Sequence, residues 1–455
     1  MKQLALLVLL GGVAHAQSAP VASATEPPAP TDPVPLPPPA PVVAPVPAPA
    51  PSLDAQAINA LIDARLAARK DTAGWKDGFF LQTRDATTKL KIGGFTQFDG
   101  RLFVADAKDP HTDTFGFRSI RPDLQATLLE HFDVRLLPDF AGAKVTLQDV
   151  YADVHYGDAV KLRFGKFKVP FGLERLQGET QTLFVERGLP TQLAPNRDLG
   201  VQVFGELAHG ILAYQLGVFD GVADGQSGDG DVSDDKEAAA RVFVTPVTGL
   251  GIGAAATFGN KAGTLASPDV ASFKTQGQTT FFAYRTGTTL MDTVVADGRH
   301  WRATGQASYY AGPVGLLGEY VRSAQKVVLD GTHEHVVTDS WQLAAQYVLT
   351  GDAATYKSVT PTRPLDPAKG QWGAFDIGAR IGELRLVDGK LFGDGFADPT
   401  KSARRAWSAG GGVNWYPNRS FRFVLDYERT WYRLGAKAGD RPPENSIIGR
   451  VQTVF

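Results

Sequence analysis

The chain has no cysteine in 455 residues. That excludes a disulfide-stapled exported domain, a thiolate metal centre, a cysteine nucleophile and a lipid-bearing N-terminal cysteine. Net charge is nearly absent too, with 46 Lys and Arg against 48 Asp and Glu. Such a balance gives no electrostatic case for nucleic acid. Long apolar runs are also missing. Beyond Val13 no stretch of about 18 apolar residues is free of proline, so no helix here can cross a bilayer. No G-x-S-x-G, H-E-x-x-H or phosphate-loop pattern occurs. Neither an enzyme nor a resident cofactor is therefore expected.

What is present is glycine (49 residues) and aromatic side chains (10%), the material of tight turns and strand faces. The N-terminus reads as an export leader. Lys2 is the basic start, Leu4 to Val13 the apolar stretch, and Ala14-His15-Ala16 a small-x-small cleavage site. The leader is expected over 1–16. Residues 17–52 are nearly all Pro, Ala and Val. Repeated proline forbids helix and ladder alike, so an extended periplasmic spacer is expected, with a reach on the order of 100 Å. Over 53–70 the period changes. Ile58, Ile62 and Leu66 share one stripe with Leu61 beside it, which predicts a short amphipathic helix of about 27 Å, able to join a coiled coil.

From about residue 75 to 455 the pattern is strand and turn. In 119–128 the apolar Ile120, Leu124, Ala126 and Leu128 alternate with Ser119, Arg121, Asp123, Gln125 and Thr127. In 131–140 Phe132, Val134, Leu136 and Phe140 alternate with His131, Asp133, Arg135 and Asp139. In 149–156 Val150, Ala152 and Val154 alternate with Asp149, Tyr151 and Asp153. In 160–165 Val160, Leu162 and Phe164 alternate with Lys161 and Arg163. The chain ends the same way, Arg450-Val451-Gln452-Thr453-Val454-Phe455, with an aromatic last. Sixteen such segments can be placed. They run from 88–104 and 115–129, through 314–323 and 339–350, to 420–432 and 446–455. Short turns such as Glu130-His131, Ala208-His209-Gly210 and Pro417-Asn418-Arg419 alternate with long polar loops.

An exported chain without an apolar helix spans a membrane only as a closed barrel. Even strand number and turn asymmetry fit an all-β, 16-stranded antiparallel transmembrane β-barrel, preceded by the short N-terminal helix. The count stays even if 260–299 is one long loop that contains the apolar run Thr279 to Tyr284. The segment 351–370 is unusually long for a short-turn position.

Sixteen strands leave an aqueous channel. Arg121, Arg135, Lys161 and Arg163 are expected to face it, with Asp123, Asp133, Asp139, Asp149 and Asp153. The third long loop, 168–197, lacks alternation and carries Lys168, Arg175, Arg187 and Arg197 among Glu174, Glu179 and Glu186. Folded inward, it would narrow the channel and present these charges to solutes. His333-Glu334-His335 offers only two imidazoles at a loop edge, too few for zinc. The acidic loop Asp220 to Glu237 lacks the glycine of a calcium-binding loop. No metal site is assigned.

The stretch Leu162 to Glu174, LRFGKFKVPFGLE, resembles the R-x-G-x-F-K-x-P-F-G-L-E pattern of the phosphate-selective porin O/P family. Glu186-Arg187, Ala194 to Gly200, Gln148 to Tyr151, Ser308 to Pro313 and Tyr347 to Gly351 continue the likeness. The resemblance implies a sixteen-stranded, trimeric outer-membrane porin with an inward third loop, sometimes with a helical N-terminal extension. Phosphate-selective members carry an arginine ladder along a strand. No R-x-R-x-R run occurs here, and the expected inner face mixes both signs. The expected function is passive diffusion of small hydrophilic solutes, anions such as phosphate among them. The expected partners are those solutes, outer-membrane lipid and lipopolysaccharide, two further copies, and the cell wall through the N-terminal extension. The alternative is a structural anchor tethered to the wall through 18–70.

Overall fold

A computed structural model describes Gln56 and residues 58–60, 72–104, 111–230 and 234–455. Gln56 and residues 58–60 are helical. The expected leader 1–16, the spacer 17–52 and the rest of the expected helix 53–70 lie outside the described residues.

A hairpin of β1 (Ala73–Trp75) and β2 (Phe79–Gln82) comes first. Then follow β3 (Lys89–Phe103), β4 (Thr114–Leu128), β5 (Phe132–Asp139), β6 (Thr146–His155), β7 (Lys161–Lys168), β8 (Arg197–Leu207), β9 (Leu212–Phe219), β10 (Glu237–Val247) and β11 (Leu250–Ala262). β12 (Ser272–Lys274) and β13 (Thr280–Ala283) pair only with each other. β14 (Val295–Ala311), β15 (Val314–Leu329), β16 (Thr332–Val348), β17 (Ala374–Leu386), β18 (Ala403–Tyr416), β19 (Phe421–Ala436), the two-residue β20 (Gly439–Asp440) and β21 (Glu444–Val454) complete the chain. β3 to β11, β14 to β19 and β21 are sixteen strands, each antiparallel to the next. The cylinder closes where β21 meets β3, from Val454↔Phe95 to Ser446↔Phe103. Below that seam β2 takes the free lower edge of β3, from Phe79↔Ile92 to Gln82↔Lys89.

Burial is inverted relative to a water-soluble sheet. In β19 Phe421, Phe423, Leu425 and Tyr427 are exposed, while Arg422, Asp426 and Glu428 between them are at most 4% exposed. A water-soluble sheet would hide the first set. A barrel in lipid presents it outward and turns its charges to the inner face. This inversion is the direct consequence of period-2 alternation in a closed cylinder, because successive side chains must point to opposite sides.

The connections are short at one end and long at the other. After β14 the turn is Gly312-Pro313, with Ala311 opposite Val314. Two expectations need correction. The strand pair expected to stop at 323 and resume at 339 instead runs on to Leu329 and Thr332, which face each other. The turn is Asp330-Gly331, both left-handed at φ 48° and 71°. An Asp-Gly pair favours that tight turn, and it was the local sign of a hairpin. His333 and His335 therefore sit within β16, not in a solvated loop, and His333 pairs with Asp297 at 3.1 Å. The acidic loop is also less free than its composition suggested. Arg302, fully buried, binds Asp224 at 2.6 Å and Glu237 at 2.8 Å. The apolar run Thr279 to Tyr284 contributes β13, which pairs only with β12 and not with the sheet of the cylinder, so the count of sixteen is undisturbed.

Candidate functional site

On the polar face, guanidinium groups meet carboxylates of neighbouring strands. Arg135 (β5) holds Asp123 (β4) through two bonds of 2.9 Å and reaches Asp149 (β6) at 3.2 Å. Arg163 (β7) holds Asp153 (β6) through two bonds of 2.7 Å and lies 3.8 Å over the Tyr151 ring. Arg121 (β4) pairs with Asp139 (β5) at 2.7 Å. Arg197 (β8) pairs with Asp149 at 2.8 Å. The Arg121, Arg135 and Arg163 pairs stand opposite or diagonal across adjacent strands, the spacing at which long side chains meet, whereas Arg197 reaches over β7 to Asp149. Two-pronged pairs are the strong form of this contact, because the planar fork matches a carboxylate.

Segment 169–196 connects β7 to β8, and its main chain is bonded to side chains of the polar face in strand order. The Leu173 N–H donates to Glu319 of β15 at 2.5 Å. The Gly188 N–H and Gln342 of β16 both donate to Glu174, at 2.7 and 2.9 Å. Arg380 of β17 donates to the Glu186 carbonyl at 2.8 Å. Asn414 of β18 and Arg422 of β19 donate to the Leu183 carbonyl, and the Val185 N–H donates to Asp426 at 2.6 Å. Gln452 of β21 and Gln97 of β3 take the Thr180 and Glu179 carbonyls. A backbone without sheet partners needs such acceptors and donors when buried. Gly188 makes the close approach possible, since a Cβ there would lie 1.7 Å from the Gln342 side-chain oxygen.

The oversized connection 349–373 touches the same segment from the short-turn end. The Tyr356 hydroxyl donates to the Leu173 carbonyl at 2.5 Å, and Gln177 donates to the Tyr356 carbonyl at 2.6 Å. Ala354 and Val359 pack with Val348, Ala374 and Tyr416. The open space lies beside β3 to β9, a cavity of about 490 Å³. Lys91, Arg135, Arg163, Lys168 and Arg197 line it, with Asp77, Asp123, Asp149 and Glu179.

Glu179 is the hub. Arg187 lies 2.7 Å from it, Arg197 3.6 Å, and Arg121 and Lys168 3.9 Å each. Burial opposes its ionisation, but the charges of Arg187, Lys168, Arg197 and Arg121 outweigh burial and hold the carboxyl well below its usual range.

Of the residues expected to matter, Arg121, Arg135, Arg163, Lys168, Arg187, Arg197, Asp123 and Asp149 are gathered around the cavity and its hub, with Asp153 behind Arg163. Three are elsewhere. Arg175 turns back into its own segment, onto the Thr191 carbonyl. Lys161 pairs with exposed Asp158 at 2.9 Å near the short turns. Asp133 pairs with His155 at 2.9 Å, also near that end. Residues not singled out are Lys91, Asp77, Glu319, Tyr356, Arg380, Arg422, Asp426 and Glu428. The alternation of 371–385 and 420–432 carried the signal for the last four.

The model of a family described as phosphate-selective porin O and P matches residues 90–455. Among solved structures the chain is similar to the outer membrane channel DcaP of Acinetobacter baumannii, at 11% identity and a TM-score of 0.54, over 82% of this chain and 99% of that one. It is similar to the in-vitro folded outer membrane protein OmpT of Vibrio cholerae, at 12% identity and a TM-score of 0.51, over 81% and 98%. It is also similar to an anion-selective porin from Comamonas acidovorans, at 11% identity and a TM-score of 0.51, over 81% and 100%. At these identities the likeness is one of fold. No curated protein matches in sequence.

Proposed function

The chain belongs to the phosphate-selective porin O and P family, an outer-membrane porin family, and from that premise we propose a weakly anion-preferring pore for small hydrophilic solutes. Segment 169–196 folds inward and narrows it, and solutes pass through the space left beside β3 to β9. The observation that carries this reading is the hub at Glu179, where a loop carboxylate meets cations of three elements beside the open cavity. The main-chain bonds from that segment to β15, β16, β17, β18, β19, β21 and β3 support it.

Selectivity follows from the lining. Five basic side chains stand against four acidic ones, so a solute meets a field across the pore and only a small excess of one sign. A phosphate filter would need open guanidinium forks. The forks of Arg135 and Arg163 are already filled by Asp123 and Asp153. Phosphate would have to displace a carboxylate held through two charge-assisted bonds. It passes as one small anion among others.

The remaining parts complete the proposal. Residues 1–16 direct export. Residues 17–52 and the helix 53–70 lie on the periplasmic side, where the short turns also lie, and three copies associate as the family resemblance implies. The test is single-channel recording of purified protein in a planar bilayer under a potassium chloride gradient, with phosphate then added. Stepwise conductance with a modest anionic reversal potential and no phosphate block is expected. Block at low phosphate concentration would overturn the weak-selectivity reading. Absence of steps from folded protein would overturn the channel itself and favour the anchor.

A further inference from the structure

The outer wall carries a charged row that the pore does not use. Arg322 of β15 stands opposite Asp339 of β16, Asp339 opposite Arg385 of β17, Arg385 opposite Arg405 of β18, and Arg405 opposite Arg433 of β19. The five residues form one line across five adjacent strands. They share the face of the exposed Leu316, Leu343, Ile381, Val413 and Leu425, which is the lipid side. Two residues below, in the same register, runs a line of four aromatic residues interrupted by one carboxylate: Tyr320, Trp341, Glu383, Trp407, Trp431. Trp407 and Trp431 pack at 4.6 Å, and Arg429 lies over Trp431 at 5.1 Å.

The height of the row identifies its surroundings. At the short-turn end Phe375, Trp415 and Phe423 stack at 6.0 and 5.1 Å. Arg385 lies ten positions beyond Phe375 on β17. At about 3.3 Å per residue and a tilt near 40°, that is about 25 Å of height. This is the depth of a barrel's apolar band. The arginine row therefore stands at the headgroup level of the leaflet on the long-loop side, just above an aromatic girdle.

The row carries more positive charge than its neighbours cancel. Arg322 and Arg385 share Asp339 at 2.6 and 3.3 Å. Arg405 pairs with Glu383 at 2.6 Å and Arg433 with Asp440 at 3.1 Å. In the row itself four arginines face three carboxylates. The side chains of Arg322, Arg385, Arg405 and Arg433 are 43%, 55%, 48% and 70% exposed, so their outer N–H groups are free to bind. Below the girdle the wall sinks into an apolar groove of about 600 Å³, lined by Tyr309, Leu316, Leu343, Ala345, Ala379 and Ile381.

We propose that this face of β15 to β19 binds a bisphosphorylated, acylated glycolipid of the outer leaflet, of the lipid A type. Its phosphates lie on the arginine row and an acyl chain lies in the groove. The row spans roughly 19 Å at about 4.8 Å per strand, room for two separated phosphates where a phospholipid offers one. A second copy fits poorly. It would bury a row with more guanidinium than carboxylate charge against apolar wall, and that desolvation is costly.

The test is a titration of purified full-length protein in detergent with bisphosphoryl lipid A, monophosphoryl lipid A, phosphatidylglycerol and inorganic phosphate, read by native mass spectrometry. Bisphosphoryl lipid A is expected to bind tightest, and inorganic phosphate not to compete. Arg385→Gln with Arg405→Gln should weaken it roughly thirtyfold, at about fivefold per arginine. Conductance should stay unchanged, since both residues face away from the pore. Arg433→Gln, which breaks only an exposed pair, gives a roughly fivefold loss if the double variant does not fold. Unchanged lipid A affinity in either folded variant overturns the proposal. So does equal binding of phosphatidylglycerol. Disulfide crosslinking between copies through Trp341→Cys and Trp407→Cys would also overturn it, by showing a second copy on this face.

Discussion

Replacing Glu179 with Gln removes one negative charge from the centre of the cation cluster while keeping the shape of the side chain. Arg187, Arg197, Lys168 and Arg121, all within 3.9 Å, then face the pore without their shared partner. For an ion passing about 7 Å away in a water-like medium, one unit charge changes its energy by about 0.6 kcal/mol. The change has opposite signs for anion and cation, so their permeability ratio shifts by roughly sevenfold. Screening at about 0.1 M salt reduces this to roughly threefold. The assay is the reversal potential of single channels under a tenfold potassium chloride gradient, for wild type and Glu179→Gln side by side. The variant should move toward the chloride potential. Its main-chain carbonyl keeps the Gln97 bond, so the segment should stay seated and conductance should fall little. An unchanged reversal potential in folded, conducting Glu179→Gln would refute the reasoning, because ions would then not pass this cluster.

The same carboxyl gives a pH prediction. Its folded pKa is depressed below the usual value, so its contribution is complete above about pH 4.5 and is lost only as pH falls through the lower folded pKa. Wild-type selectivity should therefore keep the Glu179 contribution between pH 8 and 5, measured as a constant difference from Glu179→Gln. Neutralising Arg163 and Lys168 together should lower anion preference; unchanged reversal potentials in that double variant would remove both from the conduction path. Tyr356→Phe deletes the bond to the Leu173 carbonyl and should cost about 1 kcal/mol of stability, read as a lower denaturation midpoint with more open-channel noise. Deleting 18–70 should leave conductance intact; loss of envelope integrity in cells carrying the deletion would favour the anchor reading.

The strands were legible because a strand's polarity is written in its own residues. Alternation at 119–128, 131–140, 149–156 and 160–165 places Arg121, Arg135, Asp149 and Arg163 on one face without knowledge of any neighbour. Where alternation fades, as at 324–338, the strands were underestimated, although Asp330-Gly331 marked the turn. Lys161 and Asp133 show the limit of a face assignment. They share the face of Arg163 and Arg135, but height along the barrel separates them from the hub, and period 2 carries no information about height.

By itself, then, the sequence determined the class of molecule. Its sixteen alternating segments suit a closed barrel in lipid, the sheet arrangement that satisfies every buried backbone group there, and the family match over 90–455 agrees with that class. Tertiary structure alone decided which charge meets which. Glu179 gathers cations from β4, β7, β8 and its own segment. Segment 169–196 is seated by acceptors as distant as Glu319 and Asp426. Five residues from Arg322 to Arg433 become one row only through the register of four strand pairs. The reason is physical: face is a local property of the chain, whereas height and partnership depend on the shear and closure of the whole cylinder.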